Sequence, residues 1–250
     1  MVASRVLLAA GCVACFTHAG AGEVQVAVAA NFAAPAKQLA ERYARASGHQ
    51  LSLSTGSTGK FYAQIRNGAP FDVLLSADDE TPRRLEQEQR AVGGSRFTYA
   101  IGKLVLWSSS EGVVDAKGDV LRRAAFKRLA IANPRLAPYG AAAQQVMEKL
   151  GVWSALQDRL VQGENIAQTY QFVSTGNAEL GFIAYSQIRE PGKSPAGSSW
   201  LVPQALYAPI QQDAALLQRG AGNRAAGQFL EFLRTAAARE LIQAYGYDLP

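Results

Sequence analysis

The chain has 250 residues, 48% hydrophobic and 18% charged, with a formal charge of +5, two histidines and two cysteines. That length and apolar content can bury a sizeable core as one large domain or two smaller ones, and they exclude a disordered chain. The basic residues fall as singles and pairs such as Arg83-Arg84 and Arg122-Arg123, without a stripe interleaved with aromatics. This argues against nucleic acid and against a membrane-surface helix.

Residues 1–21 read as an export signal. Arg5 precedes the apolar run Val6 to Phe16, and Ala19-Gly20-Ala21 supplies a small-residue cleavage site. The run is too short to stay in a bilayer as a spanning helix. Cleavage after Ala21 and a periplasmic location are expected. A lipid anchor on Cys12 or Cys15 is disfavoured, because Ala9-Ala10-Gly11 departs from the leucine-led pattern that precedes an acylated cysteine. Cleavage removes both cysteines and His18, leaving His49 as the one histidine. Ser-His triads, Cys–His dyads and His-based zinc sites are thereby excluded or severely impoverished. His49 itself, at a strand edge, reads as solvated.

Along the chain, Val24 to Ala30 alternates and then runs apolar, as a buried parallel strand does. A helix follows, with Pro35 in its first turn and Gly48 closing it. Next come a strand at Leu51–Leu53, a helix at Phe61–Arg66, a strand at Phe71–Ser76 and a short helix from Thr81-Pro82. This βαβαβ order marks a parallel sheet with helices on its faces. Tyr99–Trp107 reads as one long strand with Gly102 inside it, a candidate hinge. Beyond it the spacing predicts a helix over Val120–Arg128 and a strand over Leu129–Ala132. Helices are then expected from Pro138 to near Gly151, over Trp153–Leu160, and from Asn165. Leu180–Tyr185 reads as a buried strand, and residues 190–199 as a loop. Trp200–Pro203 and Leu206–Ile210 return the chain to two closing helices, about Gly222–Thr235 and Ala236–Tyr245. If the chain leaves a first lobe near residue 100 and re-enters it near 203, two lobes meet across a cleft: residues 22–100 with 204–250, and residues 101–203. A cleft of this kind is the expected binding place. Trp107, Trp153 and Trp200 are expected to pack at element ends. Asp72, Asp78 and Asp79 are read as solvated or lobe-bridging.

Ser54-Thr55-Gly56-Ser57-Thr58-Gly59-Lys60 joins a strand to a helix, and small residues there let backbone N–H groups approach an anion closely. It is not a nucleotide P-loop, since Ser54 and Phe61 stand where that pattern needs Gly and Ser/Thr. Taken alone, it is also ordinary turn and capping chemistry. Three further turns share its character: Ala30-Asn31-Phe32, Ala137-Pro138-Tyr139-Gly140 and Glu164-Asn165-Ile166. Each can offer backbone N–H groups, and Asn31, Ser57, Thr58 and Tyr139 add side-chain donors. Glu164 is their one acid and Lys60 the one cation beside them, more naturally solvated or salt-bridged than a ligand. Neutral donors suit a doubly charged oxyanion without protons. Hydrogen phosphate needs an acceptor for its proton, and carboxylate ligands call for an Arg fork.

Val26–Phe32, then Gly56-Ser57-Thr58-Gly59-Lys60 with Tyr62-Ala63-Gln64-Ile65, then Gly68-Ala69-Pro70-Phe71-Asp72-Val73 resemble the first half of periplasmic molybdate-binding proteins. Asn133-Pro134 with Ala137-Pro138-Tyr139-Gly140, Gly163-Glu164-Asn165-Ile166, Gly181–Tyr185 and Ala244-Tyr245-Gly246-Tyr247 resemble the second half, in the family's order. The resemblance covers nearly all of the chain beyond residue 21. It implies a two-lobed, type II α/β solute-binding fold: a monomer without cofactor or catalysis that hands molybdate, and tungstate, to the permease of an ABC importer. It places ligand contacts on Ala30, Asn31, Ser57, Thr58, Tyr139, Ile166 and Tyr185, with molybdenum bound only as its oxyanion. Family members often carry Ser at the positions of Asn31 and Thr58, have Ala or Tyr at that of Tyr139, and differ in using the tyrosine at that of Tyr185. Ile166 has only its backbone N–H to offer.

The alternative within the class is a sulfate or other oxyanion binder, separated by a cavity size that sequence does not show. An enzyme on this fold would have only carboxylates and lysines as bases. A transcription regulator would need a helix-turn-helix where the export signal stands. A ferric-ion binder would need a tyrosine pair, which Tyr185 lacks.

Overall fold

Strand β1 (Glu23–Ala29) opens the first sheet, and its four last residues are all buried because neighbours flank it on both sides. The computed structural model describes residues 22–192 and 196–250. The expected export signal, with its cleavage site, lies outside the described residues. Helix α1 (Ala33–Ser47) follows and ends at Gly48, whose φ of 75° is the left-handed conformation of a helix-terminating glycine. Then come β2 (Gln50–Gly56), α2 (Thr58–Arg66), β3 (Val73–Leu75), α3 (Glu80–Gln87) and β4 (Phe97–Gly102). The chain passes into β5 (Leu104–Ser108), α4 (Val120–Arg123), β6 (Leu129–Ala132), α5 (Pro138–Lys149), α6 (Trp153–Leu156) and β7 (Leu160–Gly163). It goes on through α7 (Ile166–Ser174), β8 (Leu180–Ala184), β9 (Ser198–Leu201) and β10 (Ile210–Leu216), and closes with α8 (Arg224–Leu233) and α9 (Ala236–Ala244).

Two five-stranded sheets result, in the orders β2-β1-β3-β10-β4 and β7-β6-β8-β5-β9. They share one plan. Three parallel strands, with β1 or β6 in the middle, are extended by an antiparallel strand, β10 or β5. Each sheet has its own apolar core. One gathers Phe32, Leu39, Phe229 and Ile242; the other gathers Leu106, Leu129, Met147 and Phe182. The chain crosses between sheets twice, at Lys103 and through residues 202–209. None of the described helices is long and apolar enough to cross a membrane.

Four sequence expectations shift. Tyr99–Trp107 is two strands, broken at Lys103 so that β4 pairs in one sheet and β5 in the other. The helix expected over Val120–Arg128 stops at Arg123, where Ala124 turns left-handed with a φ of 50°. The tail of the expected Trp153–Leu160 helix gives way to edge strand β7, paired with β6. Strand β10 lies in a stretch, 211–216, to which the polar run Gln211-Gln212-Asp213 gives no strand signal. Asp213 is wholly buried there, its carboxylate 2.6 Å from the Arg96 guanidinium and 2.7 Å from the Thr98 hydroxyl. Burial of a charge requires such partners. That hydrogen bond raises the Arg96 pKa, as does Glu86.

Candidate functional site

Four chain segments leave their strands and begin helices at the junction of the two sheets. After β1, Ala30–Phe32 forms one 3-10 turn leading into α1. After β2, Ser57 is extended, with φ −81° and ψ 146°, and α2 starts at Thr58. After β6, Ala137 is extended and Pro138 occupies the first turn of α5, where the missing N–H costs nothing. After β7, Asn165 caps α7 by accepting from the Ala167 and Gln168 N–H groups. That cap leaves the Ile166 N–H out of the capping set. First-turn N–H groups have no partner within their own helix, so four helix starts supply a concentration of donors and partial positive charge.

Six of the seven sequence-predicted residues come together. Ala30, Asn31, Ser57, Thr58, Tyr139 and Ile166 line one small cavity together with Ala29, Gly56, Ala77, Ala137, Pro138 and Asn165. Its volume is about 10 Å³. That is room for a small, compact group and too little for a sugar or amino acid. An open groove of about 500 Å³ adjoins it, lined on its polar side by Tyr62, Asp79, Arg84, Arg135 and Gln145.

The hydrogen bonds inside the cavity are unevenly satisfied. Ser57 is 3% exposed, and among the described residues its Oγ is the one buried side-chain polar atom without a partner. An orphaned buried hydroxyl is costly, and it marks a place where another acceptor belongs. The Thr58 hydroxyl accepts from the Ala77 N–H at 3.0 Å, which leaves its own proton to donate. The lining holds no carboxylate, lysine, arginine or histidine. Tyr139 is its one titratable group, and burial pushes that phenol well above the ordinary tyrosine range, so it stays neutral.

Two sequence assignments change. The Asn31 side chain is not a free donor: its amide donates to Gln212 Oε1 at 2.8 Å and to the Tyr247 hydroxyl at 3.0 Å. Tyr185 is not brought to the cavity at all. It packs at the edge of the cluster of Val105, Trp107 and Ile183, with its ring against the space a side chain at Gly246 would fill. The Tyr139 phenol accepts from Gln212 Nε2 at 3.1 Å. Asp72 and Asp78, read as solvated or lobe-bridging, have local structural roles. Asp72 takes the Gln25 N–H at 2.8 Å, and Asp78 takes the Thr81 N–H at 2.9 Å. Burial raises the Asp78 pKa against those hydrogen bonds.

Sequence reasoning did not find a second layer behind the cavity. Tyr99 and Gln212 are buried with Asn31, and the Tyr99 hydroxyl donates to Ser76 O at 2.9 Å and lies 3.1 Å from Gln212 Oε1. Ser186 donates to Asn31 O at 3.0 Å, and Tyr247 reaches both Asn31 O and Ser186 Oγ, at 2.8 and 2.9 Å. Of these, Tyr247 alone left a sequence signal, in the terminal Tyr245-Gly246-Tyr247. At the rim, Gly59 N–H donates to Leu136 O at 2.9 Å and Lys60 pairs with Glu164 at 2.6 Å, both across the junction of the sheets. Lys60 is thus a rim ion pair.

A two-lobed α/β chain that converges four helix starts on a buried, donor-rich hollow is a solute-binding architecture, and comparison gives the same class. Residues 24–248 match the bacterial extracellular solute-binding protein family, and the chain belongs to it. It is 56% identical over 244 residues to the molybdate-binding protein ModA of Azotobacter vinelandii, covering 98% of this chain and 96% of that protein. The molybdate-binding protein ModA of Rhodobacter capsulatus is 53% identical over 229 residues, covering 92% and 89%. A solved structure, the Azotobacter vinelandii periplasmic molybdate-binding protein, superposes with a TM-score of 0.89 at 42% identity, over 91% of this chain and 99% of that one. The type II two-lobed fold expected from sequence is borne out, and these relatives are named for binding and not for catalysis.

Proposed function

We propose that this chain is the periplasmic solute-binding protein of a molybdate ABC transporter. It holds molybdate, and tungstate, as a dehydrated oxyanion between its lobes and passes it to the membrane permease as a monomer. The observation that carries this reading is the orphaned, buried Ser57 hydroxyl in a hollow lined only by neutral groups at four helix starts. The relatives named above support the choice of anion.

The contacts proposed are the backbone N–H groups of Ala30, Asn31, Ser57, Thr58, Tyr139 and Ile166, with the Ser57 and Thr58 hydroxyls. Tyr185 is left out. Hydrogen bonds to a charged acceptor are about twice as strong as neutral ones, and a water-free hollow strengthens them further. The polar groups proposed to meet the ligand are donors, which suits an unprotonated dianion, whereas the proton of hydrogen phosphate finds no carboxylate in the lining. The two lobes, residues 22–102 with 210–250 and residues 104–201, hinge at the crossings at Lys103 and 202–209, so the first boundary falls slightly beyond the residue-100 position expected from sequence.

A thermal-shift titration of the chain lacking residues 1–21 tests this, with molybdate, tungstate, sulfate and phosphate. Ligand at a thousandfold excess over its Kd stabilises by about 4 kcal/mol, a shift of several degrees. Molybdate and tungstate are expected to produce it. A clear shift with sulfate or phosphate and none with molybdate or tungstate overturns the assignment.

A further inference from the structure

Gly102 and Gln212 belong to the first sheet, on adjacent strands β4 and β10, and Tyr139 belongs to α5 of the other lobe. Its phenol reaches across the junction and ends on them, accepting from Gln212 Nε2 at 3.1 Å. Gly102 makes this approach possible. A Cβ built there would collide with the Tyr139 hydroxyl oxygen and lie 2.5 Å from Gln212 Nε2. Gly102 sits in ordinary extended strand, so its backbone conformation does not call for glycine. The close approach does. The amide of Gln212 faces both lobes at once: its Oε1 takes the Asn31 amide at 2.8 Å, and its Nε2 serves Tyr139. Asn31 and Tyr139 are the second residues of two of the four helical segments that begin around the cavity.

We propose that Gly102 and Gln212 form a socket for the Tyr139 hydroxyl that fixes how far the lobes close, and hence the size of the oxyanion cavity. This rests on the oxyanion-binding reading above. A closure that stops short strips water from the Tyr139 hydroxyl and the Gln212 amide without pairing them, which is unfavourable for both. Full seating pairs them. The socket therefore favours one closing distance over a continuum, and it holds the helix starts at Asn31 and Tyr139 at the spacing of one small tetrahedral ion. Gln212 and Gly102 act through Tyr139 and Asn31 as positioning residues, with no contact to the ligand themselves.

The test is a set of variants titrated with sodium molybdate, reading Kd, the dissociation rate and the melting temperature of the free protein. Gly102→Ala places a methyl group in the socket. It should leave the free protein's melting temperature within about two degrees of wild type, weaken binding at least tenfold, and do so mainly through faster dissociation. Tyr139→Phe alone should weaken binding several-fold. In the Gly102→Ala background the same change removes the colliding oxygen, so Gly102→Ala/Tyr139→Phe should bind more tightly than Gly102→Ala. That reversal of sign is not expected from a merely structural glycine. Wild-type affinity in Gly102→Ala, or losses that simply add in the double variant, overturns the socket.

Should Gly102→Ala fail to fold, the Gln212→Met and Tyr139→Phe pair decides. Losses that do not add support the socket, and additive losses overturn it. The wild-type titration separates the two readings. If wild type binds molybdate and the variants behave independently, only the socket falls. If wild type binds none of molybdate, tungstate or sulfate, the oxyanion reading falls and takes the socket's role in ligand binding with it.

Discussion

At the hinge, Asn31, Tyr99, Ser186, Gln212 and Tyr247 bury their polar ends and answer one another's hydrogen bonds across both lobes. In the neighbouring cavity, Ser57 buries a hydroxyl that answers nothing, beside helix starts whose first N–H groups have no intrahelical partner. Both regions are buried and built from neutral groups. A satisfied cluster specifies geometry, while an unsatisfied one of the same residue types specifies a missing acceptor. The difference separates the residues that shape the closed form from those that hold the anion, and substitutions in the two regions should have different signatures.

The largest effect belongs to Asn31, which takes part in both. Asn31→Leu removes two donated bonds and leaves Gln212 Oε1 and the Tyr247 hydroxyl short of a donor. A loss of roughly 3 kcal/mol in stability is expected by denaturant unfolding, with ligand affinity falling as well because the backbone at Asn31 shifts. Unchanged stability would mean that the hinge cluster is not the satisfied region described. Ser57→Ala should do the reverse. The free protein stays as stable as wild type or gains slightly, because an orphaned hydroxyl is lost, while molybdate binding weakens by roughly 1.5–3 kcal/mol, the worth of a hydrogen bond to a charged acceptor. Calorimetry of binding and of unfolding on the same variant gives both numbers. A fall in stability with intact affinity would return Ser57 to the role of turn-former.

The split between the two regions also marks what sequence could and could not deliver. Ala30, Ser57 and Thr58 were legible because each stands where a strand gives way to a helix, and Ile166 because Asn165 before it is a helix-capping residue, patterns complete within a few residues. The partners of Asn31 were not. Gln212 stands 181 positions away, in a strand whose Gln-Gln-Asp run looks like loop. Strand β10 exists because Arg96, 117 positions from Asp213, neutralises the carboxylate it buries. Local pattern carries no trace of that pairing. Tyr185 is a different case. It came from family resemblance alone, and in this chain the ring packs toward Gly246. Edge strand β7, four residues long and mostly half-exposed, was not recognised, its first residue Leu160 being read as the end of a helix, because nothing in it alternates clearly.

Lys60 and Glu164 sharpen the comparison from outside, as a charged contact at the rim. Both side chains are well exposed, 44% and 63%, so their 2.6 Å contact is screened by solvent and salt. Lys60→Met should change affinity by less than about 1 kcal/mol, with the difference disappearing in high salt. A tenfold or greater loss that persists in high salt would show that the lysine, and not the neutral cage, carries anion attraction.

The smallest expected effect is that of pH. Among the cavity-lining residues Tyr139 alone titrates, and burial raises its pKa, as burial raises those of Tyr99 and Tyr247 in the hinge. A raised folded-state pKa means that the stability contributed by these neutral phenols is fully present below the unfolded tyrosine value, about 10, and is lost as pH rises beyond it through the folded values. Between pH 6 and 9 no lining group changes charge, so the affinity for a dianion that stays unprotonated should be flat, and calorimetry in buffers of different ionisation enthalpy should register no proton exchange. Proton uptake or release on binding in that window would place a titrating group against the anion, and the account of a cage built from hydroxyls and backbone N–H groups would fail.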